Sequence, residues 1–144
     1  MFISVIIPTY NRSEMLGITI DSFIVQHYPK DQYEIIISNN NSTDNTAEVI
    51  NEYLLNDLGV RIVYHFEKRQ GVHYARNSAA KIAEGDILYF TDDDMIADSN
   101  LLEEIIKPFF IEVLHFPLHI NCHVHTLNSI FHIIFAIWCS KKDI

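Results

Sequence analysis

Ile3-Ser4-Val5-Ile6-Ile7 is an almost unbroken run of β-branched apolar residues, the pattern of a strand buried on both faces. Such a strand belongs in a parallel sheet covered by helices, and the rest of the chain supplies those parts in alternation. Pro8 is expected to stop the first strand. Asn11 and Glu14 predict a capping box and a helix to about Gln26, with Leu16, Ile20, Phe23 and Ile24 as its buried stripe. Tyr33 to Ile37 reads as a second strand. The polar turn from Ser38 to Asp44 caps a helix expected to reach Asn56 and to bury Ala47, Ile50, Tyr53 and Leu54. Val60 to Phe66 is a third strand. A helix over Val72 to Glu84 follows, with Ala75, Ala79 and Ile82 on one side and Gly85 as its C-terminal left-handed residue. Asp86 to Thr91 is the fourth strand, and Ser99 caps a shorter helix that Pro108 closes.

Repeated βαβ units imply an α/β fold with a mainly parallel sheet, flanking helices and right-handed crossovers. In such sheets ligands bind outside the carboxyl ends of the strands. Three polar segments fall there: Thr9 to Arg12, Ser38 to Asp44, and Asp92-Asp93-Asp94. The last ends the apolar run Ile87-Leu88-Tyr89-Phe90, and three adjacent carboxylates cannot be buried unpaired. A divalent cation, Mg²⁺ or Mn²⁺, would balance them and could also hold phosphates. An isolated acidic triplet is equally readable as a helix N-cap cluster or solvated turn; the convergence of three loops favours binding. No glycine-rich dinucleotide fingerprint or P-loop is present to explain the site otherwise.

A net charge of -9 argues against nucleic acid or anionic membrane as a general partner, so a phosphate-bearing ligand needs local positive charge. Cys122 and Cys139 make no disulfide framework, and the chain opens on a strand without a basic leader. Both observations predict a cytoplasmic protein.

Four ordered motifs resemble the inverting family-two glycosyltransferases of GT-A fold, which move sugars from nucleotide-sugar donors. They are Val5-Ile6-Ile7-Pro8-Thr9-Tyr10-Asn11-Arg12; Glu34 to Ile37 leading into Asn40-Asn41-Ser42-Thr43-Asp44; Ala75-Arg76-Asn77; and Gly85-Asp86 followed by Asp92-Asp93-Asp94. The resemblance implies a Rossmann-like nucleotide-diphospho-sugar transferase fold. It places Pro8, Thr9 and Tyr10 along the nucleotide pocket, near base and ribose, and Asn39 where the family usually has an Asp that recognises the base. It also implies that Arg76 faces the diphosphate, that Asp92 lies near the ribose or metal, and that Asp94 lies on the metal. Because Asp93 is acidic too, the metal assignment can shift by one position. A metal there would act as Lewis acid and template for the departing nucleoside diphosphate.

The resemblance covers residues 2 to 107. Residues 1–107 are therefore expected to form an incomplete donor-binding domain, and 108–144 an atypical apolar, His-rich tail of frameshift or truncation origin. Between Glu112 and Lys141 no Asp, Glu, Lys or Arg occurs, so the general base that inversion requires is not identified. His119, Cys122, His123 and His125 match no established metal spacing, although helical spacing would bring His119 to His123. Ile130 to Cys139 is too short to span a bilayer, but with Lys141-Lys142 after it an interfacial association, at the cytoplasmic membrane face, is open. Two functions remain in view. One is transfer of a sugar to an unknown glycan, lipid or protein acceptor; the other is a non-catalytic remnant that binds nucleotide and metal. A phosphatase-type or signalling domain would need a nucleophilic Asp after the first strand, where Pro8-Thr9 stands.

Overall fold

Strands β1 (Ile3–Thr9) and β2 (Tyr33–Asn39) are buried along their whole length, as their apolar sequences require. The structure is a computed structural model and describes residues 1–113, 123–125 and 136–138. Helix α1 (Ser13–Ile24) connects the first two strands, and α2 (Thr46–Leu54), β3 (Arg61–Phe66), α3 (Val72–Ile82), β4 (Ile87–Phe90) and α4 (Leu101–Val113) follow. Two short strands, β5 (His123–His125) and β6 (Ala136–Trp138), complete the sheet order β3-β2-β1-β4-β6-β5. The β1/β2, β2/β3 and β1/β4 pairs are parallel, whereas β6 runs antiparallel to β4 and to β5. The expected α/β architecture therefore forms, and strand order reverses between β1 and β4.

Odd-numbered residues of β1 and β2 point to one face and even-numbered residues to the other. On the first face Ile3, Val5, Ile7, Ile35 and Ile37 pack with Leu16, Ile20 and Phe23 of α1, Ile50 of α2, and Leu102, Ile105 and Phe109 of α4. Full burial of one such side chain contributes about 1.5–3 kcal/mol. On the second face Ile6 and Ile36 meet Ala79 of α3, whose small side chain lets the helix lie close.

A polar staple locks the opposite end of the sheet. The Glu34 side chain is fully buried, and its Oε1 accepts from Ser4 Oγ at 2.6 Å and from the Glu84 N–H at 2.8 Å. Its Oε2 lies 3.3 Å from Arg61 Nη1 without an aligned hydrogen bond. Arg61 also reaches Glu84 Oε2 at 2.7 Å, and Ser4 Oγ accepts from the Gly85 N–H at 2.8 Å. The starts of β1, β2 and β3 are thereby tied to the α3–β4 connection.

Several local expectations differ from the structure. Pro8 lies within β1 rather than ending it. The capping box does not form, because Asn11 adopts φ 52° and its Oδ1 accepts from Thr43 N–H; Asp44 receives the Ser13 N–H instead. The same Asp44 accepts from the N–H of Thr46, the first residue of α2, and the helix ends at Leu54, short of the expected Asn56. Leu54 and Ile82 are 42% and 43% exposed, not core. Gly85 is not left-handed: φ is positive only at Gly59 and Gly71 among the glycines. Gly85 is needed for close approach, since a Cβ there would sit 2.5 Å from Ser4 N. At α4 the Asp98 carboxylate takes the Asn100 N–H, while the Ser99 carbonyl accepts from His27 N–H. Pro108 lies inside α4, crossing the expected 107/108 boundary; Leu102, Ile105 and Phe109 keep one apolar face on the core on either side of it. Among the described residues no helix is long and apolar enough to cross a membrane. Most of the His-rich tail, including His119, Cys122 and residues 130–135, lies outside the described residues.

Candidate active site

The last β1–β4 rung is Thr91 N–H donating to the Ile6 carbonyl at 3.1 Å. In a parallel ladder alternate residues face the same neighbour, so Pro8 is next to face β4. Its missing N–H cannot donate to the Thr91 carbonyl, and the ladder ends there. Pro8 therefore costs β1 no bond on its β2 side, where Thr9 accepts from Asn40 N–H at 2.8 Å. Residues 91–94 leave the sheet where strand order reverses, the position at which doubly wound sheets open a crevice.

The three carboxylates that follow point to three different partners. Asp93 turns inward and is 7% exposed. Thr9 Oγ1 donates to its Oδ2 at 2.7 Å, Arg12 Nε stands 3.8 Å from its Oδ1, and its backbone carbonyl accepts from Thr19 Oγ1 at 2.8 Å. Burial holds its carboxyl above the usual range, against the opposing pull of the Thr9 bond and Arg12. Asp94 faces out and accepts from Arg12 Nη1 at 2.6 Å. Asp92, also exposed, accepts from Arg76 Nη2 at 2.7 Å. Strand β1, the turn before α1 and helix α3 thus each hold one member of the triplet.

These residues border an open cleft of about 480 Å³, lined by Pro8, Thr9, Tyr10, Arg12, Asn40 and the triplet on one side. The other wall is Gln70, Gly71, Val72 and Ala75 at the start of α3. Asn40 splints that wall. Its Nδ2 donates to the Glu67 and Arg69 carbonyls, at 3.2 and 2.6 Å, and its Oδ1 accepts from Gly71 N–H at 2.7 Å. Arg69 forks onto Glu67 through Nε and Nη2, both at 2.9 Å, and lies 4.6 Å over the Tyr74 ring. The Arg69 guanidinium, then its backbone N–H, pull the Glu67 carboxyl down to about 2. Gly71, at φ 135°, could not carry a side chain there without strain.

Of the residues singled out from sequence, Pro8, Thr9, Tyr10, Asp92, Asp93 and Asp94 come together on the cleft. Arg76 reaches it through Asp92, and its Nε is buried without a hydrogen-bond partner. Asn39 does not line the cleft. It is 2% exposed, its Nδ2 donates to Tyr64 OH at 3.1 Å, and its Oδ1 accepts from Ser42 N–H at 2.9 Å. Sequence reasoning did not assign Arg12, Asn40, Gln70 or Gly71. The signal for Gln70 and Gly71 was available, because a glycine in a polar loop after β3 falls at the same sheet edge.

Among the described residues no three His, Cys, Asp or Glu side chains converge into a metal cage. The exposed carboxylates of Asp92 and Asp94 are nevertheless hard oxygen donors. They fit a cation such as Mg²⁺ that takes one or two carboxylates and draws its other ligands from phosphate and water.

The sequence model of glycosyl transferase family 2 matches residues 4–112. The chain is 36% identical over 103 residues to the poly(ribitol-phosphate) beta-glucosyltransferase of Bacillus spizizenii, covering 71% of this chain and 16% of that protein. It is 33% identical over 102 residues to glycosyltransferase AglE of Haloferax volcanii, covering 71% and 33%. The chain thus spans a third or less of the length of these relatives. Among solved structures, S. aureus TarS 1-349 in complex with UDP aligns with TM-score 0.69 and 28% identity, over 80% of this chain and 33% of that one. The mannosyltransferase PcManGT of Pyrobaculum calidifontis, in complex with GDP-Man and Mn²⁺, aligns with TM-score 0.75 over 94% and 44%. At 23% identity it supports the GT-A fold alone.

Proposed function

The chain belongs to glycosyl transferase family 2, and on that premise we propose that its cleft binds the nucleoside diphosphate of a nucleotide-sugar donor together with Mg²⁺ or Mn²⁺. The observation that carries this reading is the pairing of three carboxylates with two guanidiniums around an open cleft at the β1–β4 reversal. Pro8, Thr9 and Tyr10 form the wall for base and ribose. Asp94 and Asp92 hold the cation, whose bound form would supply charge neutralisation for the departing diphosphate. Arg76 offers a fixed positive charge beside Asp92. Asp93 is the anchor: buried against Thr9 and Thr19, it fixes the backbone from which its neighbours project. Asn40 holds the facing wall at constant width through the loop ending in Gly71.

In this reading the chain is the donor-binding part of a glycosyltransferase that acts with inversion on a glycan, lipid or protein hydroxyl. Direct displacement also requires a carboxylate beside that hydroxyl. Among the described residues, the carboxylates lining the cleft are Asp92 and Asp94, which hold the cation, and the buried anchor Asp93. Titration calorimetry of the 144-residue chain with UDP and with GDP, with and without Mn²⁺, tests the proposal. Binding should require Mn²⁺ and weaken by about tenfold or more in Asp92→Ala and Asp94→Ala, the size of one charge-assisted contact. Metal-independent binding, or variants that bind as wild type, would overturn it.

A further inference from the structure

We infer that Arg12 is the resident counter-ion of the cleft: without a bound cation it holds Asp94, and a divalent cation must displace its guanidinium to reach that carboxylate. This rests on the metal reading of the triplet and adds to it a residue that competes for the same carboxylate. Three adjacent carboxylates require nearby positive charge. Arg12 supplies it at Asp94, 2.6 Å away, and at Asp93, 3.8 Å away, while Arg76 supplies it at Asp92.

The two arginines are not held alike. Arg76 projects from within α3 and its side chain is 35% exposed, with Nε buried. Arg12 precedes α1, and its backbone carbonyl accepts from the Met15 and Leu16 N–H groups, both at 3.1 Å. Its main chain is thus fixed while its side chain is 52% exposed. A half-exposed pair of this kind shifts an equilibrium by no more than about fivefold, so it balances the triplet without closing the position. A dication and a guanidinium on one carboxylate repel each other, and Arg12 already occupies Oδ2 of Asp94. Once released, the Arg12 fork remains in the cleft it lines, where its planar donors match a diphosphate. Arrival of the cation thereby turns a carboxylate partner into a phosphate partner.

The test is to titrate Mn²⁺ alone into the full 144-residue chain and read free Mn²⁺ by electron paramagnetic resonance. Arg12→Ala should bind Mn²⁺ about two- to fivefold more tightly than wild type, and Arg12→Lys should stay within about twofold of wild type. With Mn²⁺ saturating, Arg12→Ala should bind UDP more weakly than wild type. If Arg12→Ala loses its native circular dichroism, Arg12→Gln, which keeps the stem, carries the same expectation. Unchanged or weaker Mn²⁺ binding on loss of the charge, or Arg12→Lys behaving as Arg12→Ala, overturns the role of Arg12 alone. No Mn²⁺ binding by folded wild type overturns it together with the metal reading beneath.

Discussion

Replacing Glu34 separates two reasons for burying a carboxylate at the start of a central strand. Oε1 satisfies two donors, the Ser4 hydroxyl and the Glu84 N–H, in a site with no access to water. Glu34→Ala removes the acceptor of both, and a donor left without a partner costs about 1–3 kcal/mol, with the part-buried Glu84 N–H at the low end. The Ser4 hydroxyl at about 1–3 kcal/mol and the Glu84 N–H at about 1 kcal/mol together set the loss at about 2–4 kcal/mol. Glu34→Gln keeps an oxygen for both donors, loses the charge facing Arg61 and turns an amide NH2 towards that guanidinium. That arginine is half exposed and retains Glu84, so the screened attraction is worth about 0.2–1 kcal/mol, and the variant should cost less than Glu34→Ala. Urea unfolding at neutral pH measures both, provided that the slope stays constant. Equal losses in the two variants would show that charge, not hydrogen bonding, is what Glu34 contributes. A loss below about 1 kcal/mol in Glu34→Ala would refute the staple itself.

Gly85→Ala should lower stability by about 1–3 kcal/mol through overpacking, because the new Cβ meets the Ser4 N, the Ile87 carbonyl and Ser4 Oγ at 2.5–2.7 Å; an unchanged urea midpoint would contradict this. Burial pushes the Tyr33 phenol up to about 12, so it is harder to ionise folded than unfolded. That stabilisation is complete below pH 10 and lost as pH rises towards about 12; stability measured across this window should fall less in Tyr33→Phe than in wild type.

The alternation of β-branched runs with helical periodicity was enough to read the sheet, its parallel sense and the edge at which its polar loops meet, because strands buried on both faces leave few other arrangements. What could not be read were contacts made by residues distant in sequence. Asn11 with Glu14 has the spacing of a capping box, yet Asp44, 31 residues after Ser13, takes the helix N–H. Ser99 is a good cap by residue type, but α4 starts at Leu101, and the position before it is Asn100, whose carbonyl accepts from Glu104 N–H. Gly85 reads as a helix stop and is instead a space requirement set by β1. The acidic triplet was legible as a charge problem. Its solution was only partly so: Arg76 stood out by resemblance, while Arg12 lies in a segment whose first two residues drew attention for another reason. Asn39 and Asn40 show the limit most clearly. They are adjacent and chemically identical, yet Asn39, the last residue of β2, turns toward Tyr64, while Asn40, just past the strand, is held by the loop from Glu67 to Gly71 on the cleft.

Pro8 gives the cleft an origin independent of its ligand chemistry. A parallel sheet left to its side chains would go on zipping β1 to β4, and the room for a ligand would close from the sheet outward. One absent hydrogen stops the zipping at a fixed rung. Space and selectivity are therefore written in different places: residues 92 and 94 can change what is attracted without moving the opening, and residue 8 can move the opening without altering a single charge.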